Sequence, residues 1–243
     1  MELTKLKVVL PTKTLLELTE AILPIRTEAK LTFGPDGLTT TIVDPARVAF
    51  ASIVVSKDAF KTYDVGAGGD ICLDLAKVAD LLSSFSKEDV EITIENSKIV
   101  FKVGTHRLVS KLIDPTALEA PPNMPPFDFT TEMNILSADL LQVLKTARKV
   151  SEEFSIDCKD GVVTIRADGS IESYVANPAV DLTKVSDCHS KFQLSYLLDV
   201  GKVLARSDTI NACIGSDYPM KLIVQVPNAC VEYVFAPRVE YDE

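Results

Sequence analysis

The sequence predicts an α+β fold of two similar domains, each laying two helices on antiparallel sheet, and three observations carry that expectation. Two long stretches repeat one pattern of strand, helix and hairpin. An Asp-Gly pair recurs at Asp36-Gly37 and Asp160-Gly161, a spacing of about half the 243-residue chain. A proline-dense run, EAPPNMPP at 119–126, falls almost at the midpoint. Proline fixes φ and has no N–H to donate, so neither a helix nor a central strand can pass through this run. The expected organisation is a first domain over 1–113, a connector strap over 114–127 and a second domain over 128–243. Each domain then has the roughly 100–150 residues usual for one core.

Taken in order, TKTLLELTEAIL (12–23) has the spacing of an amphipathic helix, and LTFGPDGLTTTIVDPARVAF (31–50) alternates apolar and polar residues on either side of an Asp-Gly turn. Alternation puts every second side chain on one face of a strand, and Asp-Gly tolerates the positive φ of a tight hairpin. The second half opens alike. In SADLLQVLKTARKV (137–150), Leu140, Val143, Leu144, Ala147 and Val150 share one helical face, Ser137 is the expected N-cap, and FSIDCKDGVVTIRADGSIESYVA (154–176) is the matching hairpin. ICLDLAKVADLLSSFSKEDVEITIE (71–95) corresponds to FQLSYLLDVGKVLARSDTINACIG (192–215), each a strand, a helix of about ten residues and further strands. KIVFKVGTHRLVSKLID (98–114) and KLIVQVPNACVEYVFAPR (221–238) supply the last strands. The unit is strand, helix, three strands, used four times.

Composition narrows the function. With 47% hydrophobic and 25% charged residues the chain can build a core. MELTKLKVVL lacks the apolar stretch of a signal peptide, and no run approaches the roughly 18–20 apolar residues that cross a bilayer. The expected location is inside the cell, with no membrane partner. Cys72, Cys158, Cys188, Cys213 and Cys230 are scattered and odd in number, which reads as reduced, buried thiols without metal or disulfide role.

A net charge of −10 excludes a surface that coats nucleic acid. The placement of basic residues is uneven, however. On the third helix Lys145 and Lys149 lie opposite the apolar stripe with Arg148 on its flank; on the fourth, Tyr196, Leu197, Val200, Val203 and Leu204 face the core while Lys202 and Arg206 point away. The windows 138–150 and 195–206 hold five basic and two acidic residues, so the rest of the chain carries −13. Lys13 stands beside Glu17 and Glu20, and Lys77 beside Asp80, so phosphate contact is expected to lean on the second half.

Other motifs read as structural. VGAGGD (65–70) lacks the third glycine of a dinucleotide fingerprint and reads as a flexible surface loop. Cys188-His189 reads as a surface or turn position, and Asp157 and Asp160 as servants of their hairpin. With His106 and His189 the only histidines and no nucleophile set beside them, the chain reads as a non-enzyme without cofactor.

Together with the doubled half, the strap and the basic helices, VDPARVAFASI (43–53), VSKDAFKTYDV (55–65), LIDPTALEAPPNMPPF (112–127) and YVFAPRVE (233–240) make the chain resemble the DNA sliding clamps of the proliferating cell nuclear antigen family over essentially its whole length. Asp-Pro-Ala-Arg-Val looks more like the archaeal members. The resemblance implies a ring of three subunits around duplex DNA, acting in the cytoplasm and nucleoid of an archaeon or the nucleus of a eukaryote.

On that pattern Lys13, Lys77, Lys145, Arg148, Lys149, Lys202 and Arg206 face DNA. A hydrophobic pocket for partner peptides falls on Arg47, Val48, Phe50, Leu118, Ala120, Pro121, Pro219, Val234, Ala236 and Pro237. Its users are DNA polymerase, ligase and flap nuclease, and a clamp loader is needed to open the ring. Subunits would meet through Thr105, Arg107, Val109 and Lys111 on one edge and Ile171, Ser173 and Val175 on the other. A homotrimer is expected. The alternative is one subunit of a heterotrimer that acts as an interaction scaffold.

Overall fold

A computed structural model describes residues 5–118 and 126–238. The chain divides into two compact units, Met1–Pro45 with Ala51–Pro122 and Val226–Val231, and Ala46–Phe50 with Asn123–Gln225 and Glu232–Glu243. The repeated pattern is realised four times. The first unit contains β1 (Lys7–Pro11), α1 (Thr12–Ile22), β2 (Glu28–Gly34), β3 (Gly37–Val43), β4 (Ala49–Ser56, begun in the other unit) and a short β5 (Thr62–Asp64). It continues with β6 (Gly69–Asp74), α2 (Leu75–Leu82), β7 (Asp89–Glu95), β8 (Lys98–Val103) and β9 (His106–Lys111). The second unit contains β10 (Thr131–Leu136), α3 (Ser137–Ala147), β11 (Glu153–Lys159), β12 (Val162–Asp168), β13 (Ser173–Ala176) and β14 (Val180–Lys184). Last come β15 (Cys188–Gln193), α4 (Leu194–Asp199), α5 (Gly201–Leu204), β16 (Thr209–Ile214), β17 (Met220–Val226) and β18 (Ala229–Phe235, begun in the first unit).

Strand pairs in both units are antiparallel. In the first unit β5-β1-β7-β8-β9 form one sheet and β2 pairs with β3 and β6. In the second, β13-β12-β11-β15 form one sheet, and β10 lies between β14 and β16 with β17 beyond. β4 and β18 run side by side, held at one end by Ser56 N–H to Asn228 O and at the other by Ala236 N–H to Val48 O, each 2.8 Å.

One hydrogen bond recurs at the starts of α1, α2, α3 and α4 and explains why the helices come in pairs. The first residue donates its N–H to a carbonyl in the turn that follows the other helix of the same unit: Thr12 to Glu88 (2.9 Å), Leu75 to Thr27 (2.8 Å), Ser137 to Asp208 (2.9 Å) and Leu194 to Glu152 (2.9 Å). A helix start has N–H groups with no partner inside the helix, so each helix is capped by its neighbour's exit. Apolar stripes then fix the roll of the helices: Leu15, Leu18 and Ile22 on α1, Leu75, Val78 and Leu82 on α2, Leu140, Val143, Leu144 and Ala147 on α3. Beneath the second pair, Phe154 and Phe192 are register partners with ring centroids 5.8 Å apart, both buried. Burying one such side chain is worth about 1.5–3 kcal/mol.

Several expectations are corrected. Ser137 is not an N-cap: it is the first helical residue, and its buried hydroxyl donates to the carbonyl of Leu204 at 2.6 Å, tying α3 to the end of α5. The fourth helix is two short ones, broken at Val200, and Tyr196 is half-buried. The glycine that follows the break allows close approach, since a Cβ on Gly201 would lie 3.3 Å from Leu141 Cδ2 on α3. Val150 lies beyond the end of α3.

The two Asp-Gly pairs do not build the same turn. Asp160 and Gly161 form the two-residue loop between Lys159 and Val162, both with positive φ (50° and 75°). In the first hairpin the loop is Pro35-Asp36, because Gly34 pairs with Gly37, and proline cannot take positive φ. Gly37 serves close packing instead: a Cβ there would stand 2.0 Å from the carbonyl oxygen of Val55.

The 65–70 segment forms a turn with Gly66 and Ala67 exposed. Gly68 N–H donates to Val65 O at 2.9 Å, and both residues are buried. Four cysteines are buried, but Cys230 is half-buried. Cys188 lies inside β15, with His189 on the strand's opposite, exposed face. Asp157 lies in β11, not in its turn, and its Oδ1 meets His189 Nδ1 at 2.6 Å, with Arg166 Nε 3.7 Å from Oδ2. No helix among the described residues is long and apolar enough to cross a membrane.

Candidate functional site

Three surfaces gather the residues singled out above. The first is the outer side of the helix pairs. In the second unit Lys145, Arg148, Lys149 and Lys202 are exposed and Arg206 is half-buried. Arg148 is bound to Glu152, whereas no ion pair involves Lys145, Lys149 or Lys202 among the described residues. Lys145 and Lys149, one turn apart on α3, line a groove of about 530 Å³ with Gln142, Thr146 and Ser207, and with Asp208 on its wall. Gln142, Thr146 and Ser207 escape a sequence search that follows charge alone; the Thr146 and Ser207 hydroxyls donate to Gln142 O and Thr209 O at 2.8 Å each, which leaves the exposed Gln142 amide as the neutral donor beside the lysines.

The first unit presents a different face. Lys13 Nζ is 3.8 Å from Glu17, and Lys77 Nζ is 3.0 Å from Asp74. Asp74 also caps α2, its Oδ1 accepting from Lys77 N–H at 3.0 Å. Partial burial pushes the Asp74 carboxyl upward, but the amide and ammonium of Lys77 outweigh this and hold it below the usual carboxylate range. The cations here are answered by nearby acids, Glu17 on α1 itself and Asp74 at the cap of α2.

The second surface collects most of the expected peptide pocket. Arg47, Val48, Phe50, Pro219, Val234, Ala236 and Pro237 all belong to the second unit. Val48 and Phe50 lie on the face of the β4 segment opposite buried Ala49 and Ala51, and both are half-buried. The Ala236–Val48 hydrogen bond sets the exit of β18 against them. Beyond it, Arg238 donates its N–H to Lys191 O at 2.7 Å and its guanidinium pairs with Glu153 at 2.6 Å, so Ala236 and Pro237 are held from both sides. Val234 is 6% exposed although it points away from the Tyr233 and Phe235 side of its strand. Arg47 has φ 58°, a conformation uncommon outside glycine.

Leu118 belongs to the first unit, where it lines a hollow of about 160 Å³ with Arg26, Lys30, Thr41, Val43 and Asp70. Charge and strand pattern did not single this hollow out. Ala120, Pro121 and most of the proline run lie outside the described residues. The strap is anchored where it is described: Ile113 N–H reaches Cys72 O at 2.9 Å, Asp114 caps a short turn at Pro115–Ala117, and Phe127, Phe129 and Tyr218 form an aromatic trio with centroids 5.6–5.8 Å apart.

The third surface is a pair of open strand edges. β9 ends the five-stranded sheet of the first unit, carrying Arg107, Val109 and Lys111 after Thr105 in its turn; β13 ends the four-stranded sheet of the second, carrying Ser173 and Val175 after Ile171. Exposed apolar residues mark both: Val109 at 43%, Val175 at 50% and Ile171 at 95%. An unpaired strand edge offers a row of N–H and C=O groups to any complementary strand. Arg107 is paired with Glu95 at 2.7 Å, and that guanidinium holds the Glu95 carboxyl below its usual range. Among the described residues no group of three or more His, Cys, Asp or Glu side chains could hold a metal ion.

No family model matches the chain. It is 31% identical over 245 residues to the DNA polymerase sliding clamp of Methanothrix thermoacetophila, covering 98% of this chain and all of the relative. It is 28% identical over 229 residues to that of Archaeoglobus fulgidus, covering 91% of this chain and 94% of the relative. Among solved structures, A. fulgidus PCNA bound to the C-terminal region of FEN-1 superposes with a TM-score of 0.91 at 26% identity over 98% of this chain and 100% of that one. PCNA from Thermococcus kodakaraensis gives 0.86 at 21% identity over 96% and 100%, a likeness of fold alone. A match of 31% identity across the full length of a relative and a shared fold lead to one conclusion: the chain belongs to the DNA polymerase sliding clamp family, the PCNA family, with relatives that are archaeal.

Proposed function

We propose that three copies of this chain close into a ring around duplex DNA, and that the ring tethers replication and repair enzymes through the Phe50–Val234 surface. The family's members are processivity factors, without a catalytic step of their own. The observation that carries the reading is the fate of equivalent strands in the internal repeat. β4 is the third strand after α1, as β13 is after α3; β18 is the third after the α4–α5 pair, as β9 is after α2. β4 and β18 pair within the chain, while β13 and β9, their equivalents, have one open side each. A second copy supplies the missing partner. Because the two edges differ, the contact is head to tail and closes only as a ring. Lys111 on one edge and Glu172 before the other give the contact complementary charge.

DNA contact in this reading is weak, sequence-blind and lopsided. Lys145, Lys149 and Lys202 of the second unit carry most of it, with Arg148 and Arg206 beside them, whereas Lys13 and Lys77 are largely cancelled by Glu17 and Asp74. Closure rather than affinity keeps the protein on its track, and a modest basic lining lets it slide. The docking reading rests on half-buried apolar residues held on a fixed strand end, a surface that binds a partner peptide at small ordering cost. FEN-1 seen on the related A. fulgidus protein supports a flap nuclease among the partners. DNA polymerase, ligase and a clamp loader complete the set, and the place of action is the archaeal cytoplasm and nucleoid.

The experiment is retention on DNA. Protein loaded on a nicked circle by an archaeal clamp loader stays bound through gel filtration in high salt and leaves when the circle is cut once. Equal loss from circular and linear DNA overturns the encircling mode.

A further inference from the structure

Cys158 on β11 and Cys188 on β15 stand directly opposite one another in the antiparallel register. Counting along the ladder from the Leu194 N–H to Glu152 O bond, this pair falls on a hydrogen-bonded site. Such sites hold Cα atoms about 5.5 Å apart, inside the roughly 4.4–6.8 Å that a disulfide bridges. Both side chains leave the sheet on its buried face, at 1% and 7% exposure, and Thr131 from β10 closes over them with its Oγ1 3.6 Å from Cys188 Sγ. The other cysteines with a register face different chemistry: Cys72 stands opposite Lys30, and Cys213 opposite Glu132 and Lys221.

We propose that Cys158 and Cys188 form a reversible dithiol–disulfide site whose reaction partner is a low-molecular-weight disulfide. The Cys188 thiolate attacks one sulfur of that disulfide, forming a mixed disulfide and releasing one small thiolate. The Cys158 thiolate then attacks the Cys188 sulfur, forming the cross-strand bond and expelling the second small thiolate. Both released thiolates take up the two protons the cysteines gave, so the protein is oxidised by two electrons and the small disulfide is reduced to two thiols.

Cys188 is the entry point because it begins β15 next to exposed Asp187, whereas Cys158 is the more deeply covered. Burial, and after it the neighbouring Cys188, pushes the Cys158 thiol pKa up, so closure is slow at neutral pH and quickens as pH rises. The bond ties off residues 158–188, a segment that contains β12, β13 and β14. Oxidation therefore restrains the strand edge carried by β13.

The test treats native protein with oxidised glutathione over a pH series, removes the reagent, alkylates free thiols and maps peptides by mass spectrometry. The expected product has lost two thiol hydrogens, retains no glutathione and yields one cross-linked pair, 158 with 188. Its formation rate climbs with pH, dithiothreitol reverses it, and amide exchange in β13 slows several-fold in the oxidised form. Cys158→Ser keeps glutathione on Cys188 for want of a second thiol; Cys188→Ser does not form the cross-link, and Cys72→Ser does not alter it. A stable glutathione adduct on the unmutated protein, a bond between other cysteines, or unreacted thiols in folded protein when urea-unfolded protein reacts would each overturn the proposal.

Discussion

The backbone N–H of Ala236 donates to the carbonyl oxygen of Val48 at 2.8 Å, and this bond places the end of β18 beside the half-buried side chains of Val48 and Phe50. A docking surface made this way depends on side chains that the fold itself does not need. Phe50→Ala is expected to weaken a FEN-1-type peptide at least tenfold, the loss of about 1.4 kcal/mol or more that a buried aromatic anchor provides. Calorimetric titration reads the affinity, and circular dichroism should show an unchanged fold. Wild-type affinity in the variant places the docking surface elsewhere.

The open edges make a second prediction. Val109→Asp with Val175→Asp puts carboxylates on both exposed strands, and like charges across a strand pair repel. The double variant is expected to run as a monomer with its secondary structure intact. A wild-type mass in sedimentation would remove β9 and β13 from the contact.

Charge placement gives the third. Replacing Lys145, Lys149 and Lys202 with alanine should flatten the dependence of DNA affinity on salt, since each lost phosphate contact removes nearly one unit from the logarithmic slope. Replacing Lys13 and Lys77 should change it far less, because Glu17 and Asp74 already answer them. Equal slopes for the two variants would contradict the lopsided lining.

The fourth contrasts two equivalent helix starts. Ser137 donates its buried hydroxyl to Leu204 O, while the Thr12 hydroxyl is buried without a protein partner. Ser137→Ala is expected to cost about 1–2 kcal/mol in urea unfolding, and Thr12→Val to cost less or to stabilise, because an unmet hydroxyl is exchanged for a methyl group of the same shape. The reverse ranking would contradict the hydrogen-bond account of these positions.

A pH prediction follows from Glu95. Its folded pKa lies below the unfolded value, chiefly through its hydrogen bond from Arg107. The pair's contribution is therefore present above the ordinary carboxylate range and fades as pH falls through the folded pKa. Arg107→Gln should move the Glu95 titration, followed by NMR, upward toward the ordinary glutamate value. An unmoved midpoint would show that Arg107 is not its cause.

The fourfold pattern was legible because alternation and helical spacing survive in single residues, from Leu15 and Leu18 on α1 to Phe154 and Ile156 on β11. Details that depend on partners far along the chain were not. Ser137 has the chemistry of an N-cap, and only the presence of Leu204 O shows where its hydroxyl goes. Pro35 shifted the first hairpin by one residue relative to the second, although both carry Asp-Gly. Basic residues on α3 could be counted from sequence, but the hydroxyls of Thr146 and Ser207 meet at the groove only after folding. The Asp157–His189 pair joins positions 32 residues apart through strand register, which no local motif announces.

Ring closure is the central claim, and solution mass tests it most directly. Light scattering across a dilution series is predicted to give a species of three times the 26.5 kDa chain mass. A monomer or dimer at every concentration would contradict a self-sufficient ring and leave the β9 and β13 edges to be filled by sister subunits of different sequence.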